Sequence, residues 1–268
     1  MHNGVMERNY KAVRALERGL DLLLVLNRLG RARPSLLARE AGIDRTTTYR
    51  LLETLQAKGM VIRSEADDSY ILSAGVKRLS DGFTVNDSLL HVIAPELGKL
   101  LSVVQWPSDF ATFSQGSMII EETTHPFSAF SVHRGMIGRS RPLMRSALGK
   151  AMLAGATPEK REMMLLIAAK AGLEDSWQAS HQPTIDLNIT EFQKNGYASS
   201  VGGTESQISA IALPVIVNDE AVGAVNILFF RSAMTIQQCA DRFLPALRSS
   251  VGNMQARLEV EMTDQVTV

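Results

Sequence analysis

The sequence predicts an α+β fold in two parts, an N-terminal winged helix-turn-helix and, beyond a helical linker, a larger domain with a largely antiparallel sheet. Three observations carry this. A short helical segment and a longer one, within Pro34 to Lys58, are separated by a turn containing Gly42. Two short alternating segments, Met60 to Arg63 and Ser69 to Leu72, flank an acidic turn directly afterwards. From Trp106 onward, strand-like runs and turns alternate with helical segments, and no internal repeat is evident.

The elements follow in chain order. Ala15 to Leu29 places Leu16, Leu20, Leu23, Leu24 and Leu26 on a broad apolar stripe, a helix stopped at Gly30. Pro34-Ser35 opens a short helix through Ala41, with Ser35 at the N-cap. Gly42 suits the left-handed position that ends a helix sharply. Asp44 then caps a third helix from about Arg45 to Lys58, terminated by Gly59. Ala38 is small where the two helices cross. Leu37, Ala41, Ile43, Leu51, Leu52 and Leu55 face the core, and Thr48 falls among them.

The opposite face of the third helix carries Arg45, Thr46, Thr47, Tyr49, Arg50 and Glu53. β-Branched threonines are poor helix formers. Short hydroxyl side chains at a helix N-terminus, however, approach phosphates and base edges closely, aided by the helix dipole. Arg45 and Arg50 add charge suited to phosphates or guanine, with Ser35 and Arg63 of the wing as further contacts. Residues 1–80 hold 14 Lys and Arg against 9 Asp and Glu, so a net charge of +5 sits at the N-terminal end of a chain that is neutral overall. Such segregation points to a polyanion partner for the first part.

Ser73 to Phe83 reads as a short helix and turn. Asp87 to Val104 reads as an apolar helix interrupted at Pro95, a linker and candidate dimerisation element. Strands are expected at Ser108 to Ser114, Met118 to Thr124, Phe130 to Arg134, Ile208 to Val217 and Ala221 to Phe230, the last two joined through Asn218-Asp219-Glu220 as a hairpin. Helices are expected at Ala147 to Leu153, at Pro158 to Ala171 with Thr157 as cap, at about Ile185 to Lys194, and from a capping-box-like Thr235 to Gln238 onward to about Val260, bent at Pro245. The predicted division is 1–73 for the winged helix-turn-helix, 74–105 for the linker and 106–268 for the larger domain.

At 268 residues and 45% hydrophobic, the chain is long enough for two buried cores. One cysteine, Cys239, excludes an intramolecular disulfide framework and a cysteine zinc cluster, and it reads as a small buried side chain in a reducing cytoplasm. No apolar run reaches a membrane span and no targeting segment is evident, so the expected location is cytoplasmic, away from membranes. An enzyme would need a nucleophile with a base, and Ser146 with His133 or His125 is the nearest constellation. No nucleophile elbow, P-loop, dinucleotide fingerprint or metal-ligand spacing accompanies it, so neither catalysis nor a cofactor or metal is expected.

Several separated blocks in the right order give the sequence a specific likeness. The segment AGIDRTTTYRLLETLQAKGMV, then YILSAGVKRLSDGF, PLMRSALGKAMLA, GYASSVGGTESQISAIALPV and MTIQQCADRFLPALRSSV together resemble the IclR-type transcriptional regulators over nearly the whole chain. Around RNYKAVRALERGL, TTHPFS and SAMTIQQ the likeness runs to activators of hydroxyphenylpropionate-type aromatic acid catabolism. The resemblance implies a C-terminal GAF-like effector-binding domain, a double-stranded DNA operator, a small carboxylic acid effector, self-association as a dimer or a dimer of dimers, and RNA polymerase as a further candidate partner.

It also implies that Ser146, Ala147 and Leu148 form the turn whose backbone N–H groups face a ligand carboxylate, with Ser200, Ala210, Asn226 and Leu228 lining the later segments. Ser200 stands where members sensing small keto acids carry an acidic residue, and Leu228 where they carry a hydroxyl, so a more apolar pocket suited to an aromatic ring follows. The residues themselves agree. A helix beginning at Ala147 offers free N–H groups to a carboxylate, with Phe113, Leu143, Met144 and Leu228 as apolar walls. Arg134, Arg139, Arg141 and Arg145 crowd the same stretch as candidate partners of an acid, whereas His125 and His133 read as structural.

Overall fold

The structure, a computed structural model, describes residues 13–79, 87–131, 133, 135–172 and 182–266. The chain divides into two compact units, Met1–Thr84 with His133–Gly135 and Val85–Val132 with Met136–Val268.

In the first unit, helix α1 (Arg14–Leu29) is followed by α2 (Pro34–Ala41), α3 (Arg45–Ala57), and a hairpin of β1 (Val61–Arg63) and β2 (Tyr70–Leu72). Gly42 takes the left-handed conformation (φ 64°) between α2 and α3, which a residue with a Cβ rarely adopts. The hairpin registers Val61 with Leu72 and Arg63 with Tyr70, and Tyr70 also bridges to Ala32. Leu22, Leu26, Leu37, Ile43, Leu52, Val61 and Tyr70 form the core.

Two expectations are corrected here. Leu16, Leu20 and Leu24 are 61, 50 and 67% exposed, because α1 turns Leu22 and Leu26 inward and its apolar residues exceed what one face can bury. Ser35 is not the N-cap of α2. Arg33 holds that position without a side-chain bond, and Pro34 begins the helix, where its missing N–H is no loss.

After a 3₁₀ turn at Ala74–Leu79, helix α4 (Asp87–Val104) opens the second unit. The remainder of the stretch read as helix and turn, 80–83, lies outside the described residues. Then come β3 (Asp109–Ser114), β4 (Ser117–Thr123), β5 (Ser140–Arg141), α5 (Ala147–Gly155), α6 (Pro158–Lys170), α7 (Gln182–Asn195), β6 (Ala198–Val201), β7 (Ile208–Val217), β8 (Glu220–Phe230) and α8 (Ile236–Val266). The six strands form one antiparallel sheet in the order β5-β4-β3-β8-β7-β6. Asn218 and Asp219, at φ 50° and 63°, make the tight turn between β7 and β8.

Both faces of the sheet are covered, which explains the nearly unbroken apolar runs of β7 and β8. Ile211, Leu213, Val215, Val225, Ile227 and Phe229 pack toward α4 and α8. Ala210, Ala212 and Ala224 face α5, and their small side chains let that helix lie close to the sheet. Val92, Ile93, Leu97, Leu100 and Val104 of α4, which the sequence assigns to the linker, are buried in this unit's own core.

No strand forms among the described residues of the stretch Phe130 to Arg134, of which Val132 lies outside them. Residues 128–131 turn instead, with Phe130 stacked on Trp106 (ring centroids 4.7 Å apart), while Arg134 lies outside the described residues. The last helix runs on through Pro245 and past Val260.

Candidate DNA-binding face and effector site

Helix α3 is started by Asp44, whose carboxylate accepts from the Thr47 N–H at 2.8 Å. That bond holds the Asp44 carboxyl below the usual carboxylate range. Thr48 is fully buried and donates its hydroxyl to the Asp44 carbonyl at 3.0 Å, so one of the three threonines serves the helix rather than its surface. Arg45, Thr46, Tyr49 and Arg50 are exposed and Thr47 half-buried along the remaining face. Ser35 is exposed on the first turn of α2. Arg63, on the wing, bonds to Asp68, which stabilises its charged form but also compensates the charge. Arg45 and Arg50 have no carboxylate partner among the described residues, leaving both free for an anion.

In the second unit, Ser146 caps α5. Its hydroxyl accepts from the Gly149 N–H at 3.0 Å and donates to the Pro142 carbonyl at 2.6 Å. An oxygen so engaged is not poised as a nucleophile. His125 in turn sits against Ser131, its Nδ1 2.5 Å from the hydroxyl, and against the buried Asp109, its Nε2 3.6 Å from the carboxylate. Capping leaves the N–H groups of Ala147 and Leu148, both buried, without an acceptor among the described residues.

The turn before α5 is held tightly. A Cβ on Gly149 would lie 2.1 Å from the Leu143 carbonyl oxygen, and Asn188 of α7 donates to the Met144 carbonyl at 3.4 Å. Gly203 packs so closely on this turn that a Cβ would lie 2.3 Å from the Arg145 carbonyl oxygen and 3.3 Å from the Ser200 side chain.

Ser200, Ala210 and Leu228 stand side by side across β6, β7 and β8, in register, with Asn226 and Ala212 paired in the next row on the same face. Phe113 and Leu228 are half-buried against this cluster, whereas Leu143 and Met144 are fully buried within it. Asn226 has a second duty: its Oδ1 accepts from the Asp109 N–H at 2.8 Å, closing the start of β3 onto β8. Of the four arginines considered, Arg141 is buried, with a guanidinium nitrogen 3.9 Å from the Met136 sulfur and no carboxylate partner among the described residues.

Sequence reasoning missed Asn188, one polar residue on an amphipathic helix with no local signal. It also passed over Gly149, whose signal was present as a glycine inside an otherwise apolar helix start.

A winged helix-turn-helix with an open Thr/Arg face, followed by a separate α+β unit, defines a DNA-binding transcriptional regulator of the helix-turn-helix class. The comparisons with known proteins agree. Residues 15–65 match the IclR helix-turn-helix domain and residues 83–255 the bacterial transcriptional regulator IclR C-terminal domain. The chain belongs to the IclR family of bacterial transcriptional regulators.

It is 33% identical over 268 aligned positions to an uncharacterized HTH-type transcriptional regulator of Haemophilus influenzae, covering 92% of this chain and 93% of that protein. The IclR structure of Thermotoga maritima shares the fold with a TM-score of 0.65 at 15% identity, covering 92% of this chain and all of that one (100%). An IclR homolog from Microbacterium hydrocarbonoxydans, whose structure is complexed with 4-hydroxybenzoate, matches with a TM-score of 0.59 at 18% identity over 92% of this chain and 99% of that one.

Proposed function

We propose that this regulator senses an aromatic carboxylic acid and controls an operon for its catabolism. The observation that carries the reading is the buried N-terminus of α5. Two N–H groups without an acceptor, backed by the helix dipole, meet a sheet face whose register row is Ser200, Ala210 and Leu228. The N–H pair suits the carboxylate, and Leu228 with Phe113 suits the ring. Arg141, buried in the same part of the fold without a carboxylate of its own, supplies a cation for the acid. That an IclR homolog of the same fold is complexed with 4-hydroxybenzoate supports an aromatic acid as the ligand class.

In this reading the first unit binds an operator through Arg45, Thr46, Thr47, Tyr49 and Arg50, with Ser35 and Arg63 at its margins. Self-association gives two recognition helices and a pseudo-palindromic operator. Supporting the dimer, α1 presents Leu16, Leu20 and Leu24 to solvent beside Arg14, Glu17, Arg18 and Asp21, an apolar stripe flanked by both signs of charge that a second copy of α1 would cover. The effector acts by favouring one arrangement of the dimer, with a coupling of about 1 to 3 kcal/mol typical of such systems.

Calorimetric titration of the full chain with 4-hydroxybenzoate, 3-phenylpropionate, pyruvate and glyoxylate tests the site. The aromatic acids are expected to bind, and Leu228→Asp, which sets a carboxylate beside an anionic ligand, is expected to weaken them at least ~10-fold. A preference for pyruvate or glyoxylate, or indifference to Leu228→Asp, would remove the assignment.

A further inference from the structure

The stretch Gln105 to Asp109 joins the end of α4 to β3 and is held from two sides. From β8, the Leu228 N–H donates to the Pro107 carbonyl at 2.9 Å, and Asn226 Oδ1 accepts from the Asp109 N–H at 2.8 Å. Both candidate effector contacts on that strand are therefore also anchors of this stretch. The end of β4 and the turn after it hold the other side. Thr124 and Ser108 exchange backbone and hydroxyl bonds at 2.8 to 3.2 Å, and the Thr123 hydroxyl donates to the Asp109 carboxylate at 2.7 Å. Further along, the Ser128 hydroxyl donates to the Gln105 carbonyl at 2.8 Å and Phe130 stacks on Trp106. Gln105 itself has φ 62°, which residues with a Cβ seldom adopt, so the contact from Ser128 falls where the backbone is least at ease.

Inside this clamp a charged group is left half-satisfied. Asp109 is fully buried, and its Oδ2 has no hydrogen-bond partner among the described residues. A buried carboxylate oxygen without a donor is costly and rare. The His125 imidazole faces this carboxylate with Nε2 3.6 Å from Oδ1, beyond hydrogen-bond reach, while its Nδ1 is 2.5 Å from the Ser131 hydroxyl. A movement of roughly 0.8 Å would close the gap to the ~2.8 Å of a charge-assisted bond. Because the ring is rigid, closing on Asp109 lengthens the contact with Ser131, so the two compete.

We propose that the His125 ring is a latch with two positions, on Ser131 or on Asp109, and, resting on the effector contacts proposed above, that an acid bound at Asn226 and Leu228 shifts it. In the Ser131 position, the one in the structure, the turn carrying Ser128 and Phe130 stays fastened to Gln105 and Trp106. In the Asp109 position the Ser131 contact is given up and the turn loosens its hold on the end of α4. That helix leads back along the chain to the first unit, so the setting of its end reaches the DNA-binding part. Asp109 and His125 are positioning residues, acting through this stretch rather than on the acid or the DNA.

Fluorescence and operator titration of the full chain test this, in a Trp177→Phe parent where Trp106 is the sole tryptophan. The duplex is one selected by the wild-type chain from a random pool. In the parent, 4-hydroxybenzoate is expected to shift Trp106 emission and to change duplex affinity about 5-fold or more. Asp109→Asn keeps an acceptor for Thr123 but removes the charge that draws His125. It is expected to bind the acid, and the duplex without acid, within about 2-fold of the parent, yet to lose both responses. Ser131 is half-buried on a turn, so its hydroxyl is removed without disturbing the core. With no acid present, Ser131→Ala is expected to shift the emission and to move duplex affinity about 5-fold or more. Adding Asp109→Asn to it is expected to restore the parent's values, which a second substitution would not do for plain structural damage. A full response in Asp109→Asn, a Ser131→Ala variant that behaves as the parent, or a double variant no different from Ser131→Ala would each overturn the latch. A parent that binds no aromatic acid, while Ser131→Ala and the double variant behave as expected, would remove the ligand assignment and leave the latch standing.

Discussion

Single side chains in the wing show how a small element without much core is kept in one conformation. The Asp67 carboxylate accepts from the Ser69 hydroxyl at 2.7 Å and from the Ser69 N–H at 3.3 Å, and lies 3.4 Å from Arg31. Hydrogen bonds from Ser69, then Ser64, pull its pKa from 3.8 to about 2. A carboxyl depressed in the folded state contributes stability that is fully present above its unfolded value and lost as pH falls through the folded one. Asp67→Asn is therefore expected to lower the thermal midpoint at pH 5, and the gap to wild type is expected to close as pH falls from about 4 toward 2. A gap independent of pH would show that the carboxylate charge has no part in holding the turn. Cys239 illustrates the opposite case: burial pushes its thiol up to about 12, in keeping with a packing role.

At the scale of elements, what the sequence disclosed depended on whether the signal was local. Helices whose caps are written into neighbouring residues were legible almost to the residue. Asp44 starts α3, Thr157 starts α6, and Thr235 and Gln238 exchange both bonds of a capping box, at 2.9 and 3.2 Å. The two-residue β5 and the four-residue β6 were not legible, because both are too short to show an alternating pattern of their own, and pairing to β4 and β7 is what makes them strands. Phe130 failed as a strand for a related reason: its alternation looked like pleating, while its ring was committed to Trp106.

The turn before α5 was recognisable from its motif, but its rigidity follows only from packing. A methyl group on Gly149 meets the Leu143 carbonyl oxygen and two more Leu143 backbone atoms. Gly149→Ala is thus expected to destabilise the second unit by about 1 to 3 kcal/mol, as overpacking typically does, seen as a lower midpoint in thermal unfolding. An unchanged midpoint would mean that the turn before α5 yields freely.

Across the whole molecule, a chain with no net charge keeps its basic surplus in the unit that carries the Thr/Arg face, and the family comparison assigns DNA binding to that same stretch. No helix among the described residues is long and apolar enough to cross a membrane. The direction in which apolar surface points could not be read from periodicity alone. Leu16, Leu20 and Leu24 of α1 and Met163 and Leu166 of α6 belong to helices with more apolar positions than one core can take, and only the packed structure shows which side is left over. The same structure separates the arginines: Arg63 is compensated by Asp68, while Arg45 and Arg50 are open.

Recognition of DNA by the exposed face of α3 is tested most directly by titrating a duplex, selected by the wild-type chain from a random pool, with wild type, Arg45→Ala and Arg50→Ala. Circular dichroism confirms that each variant is folded. Each substitution is expected to cost roughly 1 to 3 kcal/mol of binding where a base contact is lost and less where a phosphate contact is lost. Folded variants that both bind the duplex as tightly as the wild type would contradict the placement of α3 as the recognition helix.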